Sequence, residues 1–485
     1  MSLFEQVQDP TDLSRIRSVI AASENPGALV PLGISVLEIS DEAALHTTQR
    51  LTELLAAAGK KDVGSKVVVI VDATPIFKGQ IDLKAAVVAQ LSERFEVVTL
   101  VLGDEHHLYA DDEALDTATA AVADADGVVS VGSGTISDIA KVATNRAGNL
   151  PYVMVQTAAS VDGYTDNVSV ILRSGAKRTI DSRWPDVVLA DTETIATAPL
   201  ELNTSGFGEL LSLFTAPADW WLASRIGTDA TFHSTPRDLL LTFAGNPAEW
   251  GAGISEGRRE AVEQLTKVLA IRGIGTGIAG TTACLSGMEH LISHMLDMYA
   301  AAHGHEIGLH GSQVGVASVV GATAWQYLLE QIRAGRAMAD LDGQTDPAIE
   351  GRLLAVFVEC DPSGSLGAEC YRDFAKKQVS WQGTAENVKA LVSDADDLTN
   401  ALATMLPNPE HLAHGLKVAG ATAHFTQLAP WVTPEVWRWA VSNCFFMRNR
   451  VTVVDLLDRL GWWTETDIDE VLARVDALTG VTANV

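Results

Sequence analysis

Five of the chain's twelve histidines, His290, His294, His303, His305 and His310, fall between Glu289 and Gly311. His290 and His294 are four apart in a segment with helical apolar spacing (Leu291, Ile292, Met295, Leu296, Met298). Their rings therefore lie one turn apart on one helix face and can reach a single site. His310 follows a connector holding Gly304 and Gly308, which can fold the chain back and bring a third imidazole to the first two around a divalent cation. A catalytic cation typically has three protein ligands and one open position, which leaves a carboxylate to be found elsewhere. H-x-x-x-H without its Glu partner is not a metalloprotease signature. The plain alternative is a set of surface and helix-capping histidines, and spacing alone does not separate a ligand from its neighbour.

The elements that must position these residues are set by composition first. A chain of 485 residues with 47% hydrophobic and 20% charged residues buries a large core and divides into at least two domains. Its formal charge of −28 argues against nucleic acid and anionic membrane surfaces as partners. Cys284, Cys360, Cys370 and Cys444 form no C-x-x-C pair, which suggests a reducing compartment. No apolar segment of signal-peptide type opens the sequence, so a cytoplasmic protein is expected. The longest run without charge, Ile307 to Leu329, carries His310, Ser312, Gln313 and several glycines, and fits a buried helix better than a membrane span.

From about residue 64 to 200 strand and helix patterns alternate. Lys66 to Asp72, Phe95 to Leu102, Gly127 to Val131, Tyr152 to Val155 and Val187 to Ala190 are short apolar runs typical of strands buried on both faces of a parallel sheet. Beyond 200 the 3.6-residue period dominates, as in Glu289 to Ala302 and Val314 to Arg333. The expectation is an α/β nucleotide-binding domain over 1–198, its first 40 residues an N-terminal extension, and an all-α domain over 199–485. An acidic segment, 335–400, reads as an insertion packed on the outside.

Gly132-Ser133-Gly134-Thr135-Ile136-Ser137-Asp138 leaves a strand and opens a helix, where backbone N–H groups and the helix dipole can cradle a pyrophosphate. Ser137 stands where G-x-G-x-x-G would have its third glycine, so a tight turn without a ligand is an equal reading. Asp72, ending the first apolar run, is placed to accept from an adenosine ribose, which favours NAD over NADP. Thr157-Ala158-Ala159-Ser160-Val161-Asp162-Gly163-Tyr164 follows a strand where ligands bind in open α/β sheets; its hydroxyls can meet phosphate or nicotinamide and Asp162 a substrate hydroxyl. Gly206-Phe207-Gly208-Glu209 supplies a carboxylate at the expected domain boundary.

In order, G-x-G-T-x-x-D, T-A-A-S-x-D-G-Y, G-F-G-E-L-L, S-G-x-E-H-L-I-S-H (Ser286 to His294) and L-H-G-x-x-V-G-V (Leu309 to Val316) resemble the glycerol-1-phosphate dehydrogenases, the bacterial AraM-type proteins among them. The resemblance covers roughly residues 40 to 330, with Arg448 to Leu457 similar to the family's C-terminal helix pattern. The wider superfamily includes glycerol dehydrogenase, iron-containing alcohol dehydrogenases and dehydroquinate synthase. The resemblance implies a dehydroquinate synthase-like fold, with an N-terminal NAD(P)-binding domain, a helical C-terminal domain and a metal in the cleft. It makes Glu209, His290 and His310 the metal ligands. Asp162 and His294 become substrate contacts, and Gly134 to Asp138 with Thr157 to Ser160 hold NAD or NADP. The metal expected is Zn²⁺, with Ni²⁺ or Fe²⁺ accepting the same donors. The substrate expected is glycerol 1-phosphate with dihydroxyacetone phosphate, or a related polyol; a homo-oligomer is left open.

The sequence also departs from the family's pattern. Glu209 replaces Asp, Leu213 a Lys, Ser312 an acid, and Ala283-Cys284 an Arg-Pro. Asp166 replaces a small hydroxyl residue near the cofactor, bringing negative charge toward the phosphates. Lys177 and Arg178 remain as phosphate partners, against the plainer reading of an exposed basic turn. Glu209 alone favours a sugar phosphate cyclase of the dehydroquinate synthase kind, a class that needs several basic residues. The departures together raise a third reading, a catalytically impaired nucleotide-binding relative.

Overall fold

The computed structural model describes residues 3–61, 63–104, 108–173, 176–341 and 348–480. It resolves into two compact units, Met1–Phe207 with Thr235–Thr281, and Gly208–Ser234 with Thr282–Val485. This division differs from the expected cut after residue 198. Residues 199–207 and 235–281, the latter including the long helix Arg259–Ala279, fall in the first unit.

Among the described residues, ten strands lie in the first unit: β1 (Val36–Ser40), β2 (Lys66–Asp72), β3 (Phe77–Lys78), β4 (Ile81–Asp82), β5 (Glu96–Leu102), β6 (Gly127–Gly132), β7 (Tyr152–Gln156), β8 (Val168–Arg173), β9 (Ala176–Asp181) and β10 (Val187–Asp191). Six form one parallel sheet in the order β1-β10-β7-β6-β2-β5. Alternate residues of the central strands, Val67, Val69, Val71, Val129, Val131, Val153 and Val155, face one core layer with Leu51, Leu55, Val87 and Leu91 from two covering helices. Burial on both faces is why these strands read as continuous apolar runs.

Two expectations are corrected here. The first 40 residues are not merely an extension, because β1 pairs with β10 along the sheet edge. Lys177 and Arg178 are not a turn but part of β9, which pairs antiparallel with β8; Gly175 lies outside the described residues.

The second unit is helical throughout its described residues. Helices Ala216–Ile226, Met288–His303 and His310–Arg333 carry mostly buried residues and form its centre. The 335–400 segment is not confined to the outside. Its helix Ser365–Ser380 buries Phe374 and Lys377, and Lys377 pairs at 2.6 Å with Asp455 on helix Val453–Leu460.

Candidate active site

Glu209, His290 and His310 converge in the second unit, their nearest ligand atoms all within 4.8 Å of one another. Glu209 lies near the end of helix Leu200–Leu210, His290 in the first turn of Met288–His303, and His310 opens His310–Arg333. The Nε2 of His290 is 3.2 Å from Glu209 Oε1, and the Nε2 of His310 is 3.7 Å from Glu209 Oε2. Donors bound to one tetrahedral zinc are roughly 3.4 Å apart for bonds of about 2.1 Å, so the spacing fits a single ion.

The far nitrogens of both rings are fixed as well. His290 Nδ1 is 2.8 Å from Glu289 Oε1, so this ring donates there and turns the Nε2 lone pair to the site. Glu289 also accepts from the Gly287 amide at 2.6 Å and the Thr215 hydroxyl at 2.8 Å, which holds it behind the ring. Ser293 gives its only proton to Gln313 Oε1 at 2.6 Å; toward His310 Nδ1, 2.9 Å away, it can only accept. His310 therefore also presents an Nε2 lone pair to Glu209. Burial opposes a charge on His290, yet Glu209 and Glu289 outweigh it and hold its pKa above the ordinary value. One carboxylate, Glu209, and the Nε2 lone pairs that the two rings turn inward when neutral are the donor set of a divalent cation site, with Glu289 behind His290. His294 stands beside this group, its ring centroid 6.4 Å from His290 and 5.6 Å from His310.

Glycines and one buried acid set these positions. A Cβ on Gly208 would lie 2.2 Å from the carbonyl oxygen of Gly311, and one on Gly315 would lie 2.8 Å from Gly208 Cα. The glycines flanking Glu209 and His310 are thus where two backbones meet. Gly287 is similarly required, because a Cβ there would lie 2.6 Å from Asp219 Oδ2 and 2.9 Å from Ala216 Cα. Asp219 accepts from the amides of Met288 and Val453, each at 2.9 Å, and from Trp325 Nε1 at 3.1 Å. It caps the starts of two helices, one carrying His290.

Burial, reinforced by repulsion from Glu289, pushes Asp219 up to about 8 against the pull of its three N–H donors. A group raised in the folded state contributes stability that is present below the unfolded pKa near 4 and is lost as pH rises through about 8. Asp219→Asn removes this dependence. The stability difference between wild type and variant, from urea unfolding at a series of pH values in that window, should fall with pH by up to about 1.4 kcal/mol per unit. A difference independent of pH would contradict the assignment. At the acid end of the window the variant is the less stable protein, because its amide nitrogen cannot accept from the Met288 amide.

In the first unit, β2 and β6 are neighbours, so Asp72 and Gly132 end adjacent strands. After β2 the chain moves outward to β5, then returns to β6 and continues the other way; ligands bind at such a reversal, outside the strands' carboxyl ends. Helix Gly134–Arg146 starts here, with Ser133 in its N-cap position. Thr157, at the end of β7, donates its amide to Gly132 O at 3.2 Å. Ala159 N donates to Asn203 Oδ1 at 3.2 Å, and a Cβ on Gly206 would lie 1.8 Å from Ala159 O. Thr135 remains partly exposed at the turn, whereas Ile136, Ser137, Thr157, Ala158, Ala159 and Ser160 are buried. The Ser137 hydroxyl points to Met154 Sδ, 3.2 Å away, and Ser160 lies 3.4 Å from the Tyr164 hydroxyl.

Three acids have partners that the sequence analysis did not name. Asp162 pairs with Arg272 on the helix Arg259–Ala279. Asp72 pairs with Lys84, so its carboxylate is not the bare one on which the expected preference for NAD was argued. Asp166 is buried and pairs at 2.7 Å with Lys141, which also meets Asp138 at 3.2 Å and donates to Gly163 O at 2.6 Å. The expectation that Asp166 presents open negative charge to phosphates is corrected: its carboxylate is turned inward onto a buried ammonium. Burial raises Asp166 to about 7; on Lys141 burial is outweighed by the two acids, which hold the ammonium above its ordinary value. For Lys141 a signal was present, three residues after Asp138 on one helix face. Arg272 and Lys84 had none. Where the expected Arg is missing, Ala283 and Cys284 are buried, and Arg450 donates to the Ser286 hydroxyl at 2.7 Å and the Thr282 hydroxyl at 2.6 Å.

The family model for iron-containing alcohol dehydrogenases matches residues 43–199. The Haloquadratum walsbyi protein named glycerol-1-phosphate dehydrogenase (NAD(P)+) is 35% identical over 244 residues, 50% of this chain and 68% of that protein. The protein of the same name from Thermococcus sibiricus is 34% identical over 251 residues, 50% of this chain and 70% of its own length. Among solved structures, maleylacetate reductase from a Rhizobium strain superposes with a TM-score of 0.53 at 16% identity, covering 92% of this chain and 97% of that one. Identity of that level carries the fold alone, which is the α/β-plus-helical fold of the iron-containing alcohol dehydrogenases. The relatives carry the closer kinship: the chain belongs to the glycerol-1-phosphate dehydrogenase family.

Proposed function

We propose that this chain is a metal-dependent, NAD(P)-linked dehydrogenase that interconverts dihydroxyacetone phosphate and glycerol 1-phosphate. The observation that carries the reading is the grouping of Glu209, His290 and His310, with the Nδ1 of His290 beside Glu289 and the Nδ1 of His310 beside Ser293, so that the Nε2 atoms face Glu209. The names of its relatives supply the substrate and the cofactor pair. A divalent cation held by these three side chains would supply Lewis acidity toward the oxygen on C2 of the substrate. Two imidazoles and a carboxylate suit Zn²⁺ best, and Ni²⁺ or Fe²⁺ would accept the same set.

His294, one turn beyond His290, is assigned the holding and relay of a proton at a neighbouring substrate hydroxyl. Asp162, oriented by Arg272, is assigned a substrate contact. The Gly132 to Thr135 turn is assigned to the pyrophosphate, with Asp138 and Lys141 fixing its helix and Thr157 to Ser160 forming the wall beside it. No helix among the described residues is long and apolar enough to cross a membrane. The four cysteines are buried and form no disulfide, which supports the cytoplasmic assignment.

The reading is tested by product analysis. Metal-loaded protein should consume NADH or NADPH with dihydroxyacetone phosphate and form glycerol 1-phosphate rather than its enantiomer. Because Glu209 is also the carboxylate of a cyclase, a sugar phosphate substrate is the informative control. Phosphate release from it without net NADH consumption would replace the dehydrogenase reading with the cyclase one.

A further inference from the structure

Lys84 is the second residue of helix Leu83–Ser92 and turns back onto the end of β2. Its Nζ donates to Asp72 Oδ1, to Asp72 O at 2.7 Å and to Thr74 O at 2.6 Å, so all three ammonium protons are committed to this one strand end. The pair is only partly open to solvent, with side-chain exposures of 13% for Lys84 and 19% for Asp72. Partial burial weakens screening and makes the charge on either partner felt by a neighbouring ligand.

An unopposed carboxylate beside the adenosine ribose would accept from its hydroxyls and repel a 2′-phosphate. With Lys84 in contact the carboxylate keeps lone pairs for a ribose hydroxyl, while the net charge at this corner is close to zero. We propose that Lys84 is a cofactor-specificity residue, whose ammonium cancels the charge by which Asp72 would reject NADP and so lets one site take both dinucleotides. The proposal rests on the first unit binding the dinucleotide with its adenosine ribose at Asp72.

The test is titration of NADH and NADPH by nucleotide fluorescence into wild type, Lys84→Met, Lys84→Arg, Asp72→Asn and the Lys84→Met/Asp72→Asn double variant. Methionine keeps most of the packed stem and removes the charge. Lys84→Met should weaken NADPH on the order of tenfold relative to NADH, the size expected for one uncompensated charge near the phosphate. Lys84→Arg should keep the wild-type ratio, Asp72→Asn should shift it toward NADPH, and the double variant should return it close to wild type. Equal weakening of both nucleotides in Lys84→Met would reduce Lys84 to a fold-holding residue and overturn the proposal, as would an unchanged ratio. Wild type that binds neither nucleotide would remove the dinucleotide reading and this proposal with it.

Discussion

His290→Ala should strip the divalent cation from the protein and abolish activity, whereas His294→Ala should retain the cation and turn over more slowly. His290 offers its Nε2 lone pair directly to the group shared with Glu209 and His310, and Glu289 fixes that orientation. Loss of a carboxylate behind a ligand typically costs about 10- to 100-fold in metal affinity, and loss of the ligand itself should cost at least the upper end of that range. His294 is buried beside the group but outside it, and removal of a proton-handling residue typically costs about 10² to 10⁴ in rate. Metal content by mass spectrometry and turnover on the same samples separate the two. Equal metal loss in both variants would mean that the histidine pair is assigned the wrong way round.

Gly208→Ala should damage stability and site together. The new methyl would lie 2.2 Å from a backbone carbonyl oxygen, an atom that cannot rotate aside, so the segment bearing Glu209 must move from that bearing His310. Overpacking of this kind costs about 3 kcal/mol, and because Glu209 is the adjacent residue, cation affinity should fall with it. Gly321→Ala, farther along the same helix as His310, is the control: its methyl would meet only the Thr215 side chain, at 3.5 Å from Cγ2 and 3.7 Å from Cβ, in ordinary contact. Chemical denaturation and metal titration of both variants check this. A Gly208→Ala protein with wild-type stability and affinity would show that the close approach is not what sets the site.

Much of this arrangement was legible in the sequence, for identifiable reasons. Buried parallel strands such as β2, β6 and β7 leave unbroken Val-rich runs, and a His pair at i and i+4 announces a shared helix face. What stayed hidden depends on contacts between distant residues. Arg272 meets Asp162 across 110 positions of sequence and Asp219 meets Val453 across 234, separations that no local period encodes. β1 was missed because an edge strand with Glu38 at its middle lacks the apolar continuity of its neighbours. Asp166 misled because an acid near a phosphate site reads as repulsive until its partner is known, and Lys141 is that partner. The motif glycines were visible as glycines; only the packing assigns Gly208 and Gly315 to a helix approach and Gly206 to the loop at Ala159.

The most direct measurement is reconstitution of chelated protein with increasing Zn²⁺, Ni²⁺ or Fe²⁺, followed at each step by dihydroxyacetone phosphate-dependent oxidation of NADH. Activity that is absent after chelation, rises in proportion to added metal, saturates at one ion per chain and fails to return in His290→Ala is the result predicted. Full activity after complete chelation, or reconstitution of His290→Ala to the wild-type level, would contradict a cation held by Glu209, His290 and His310.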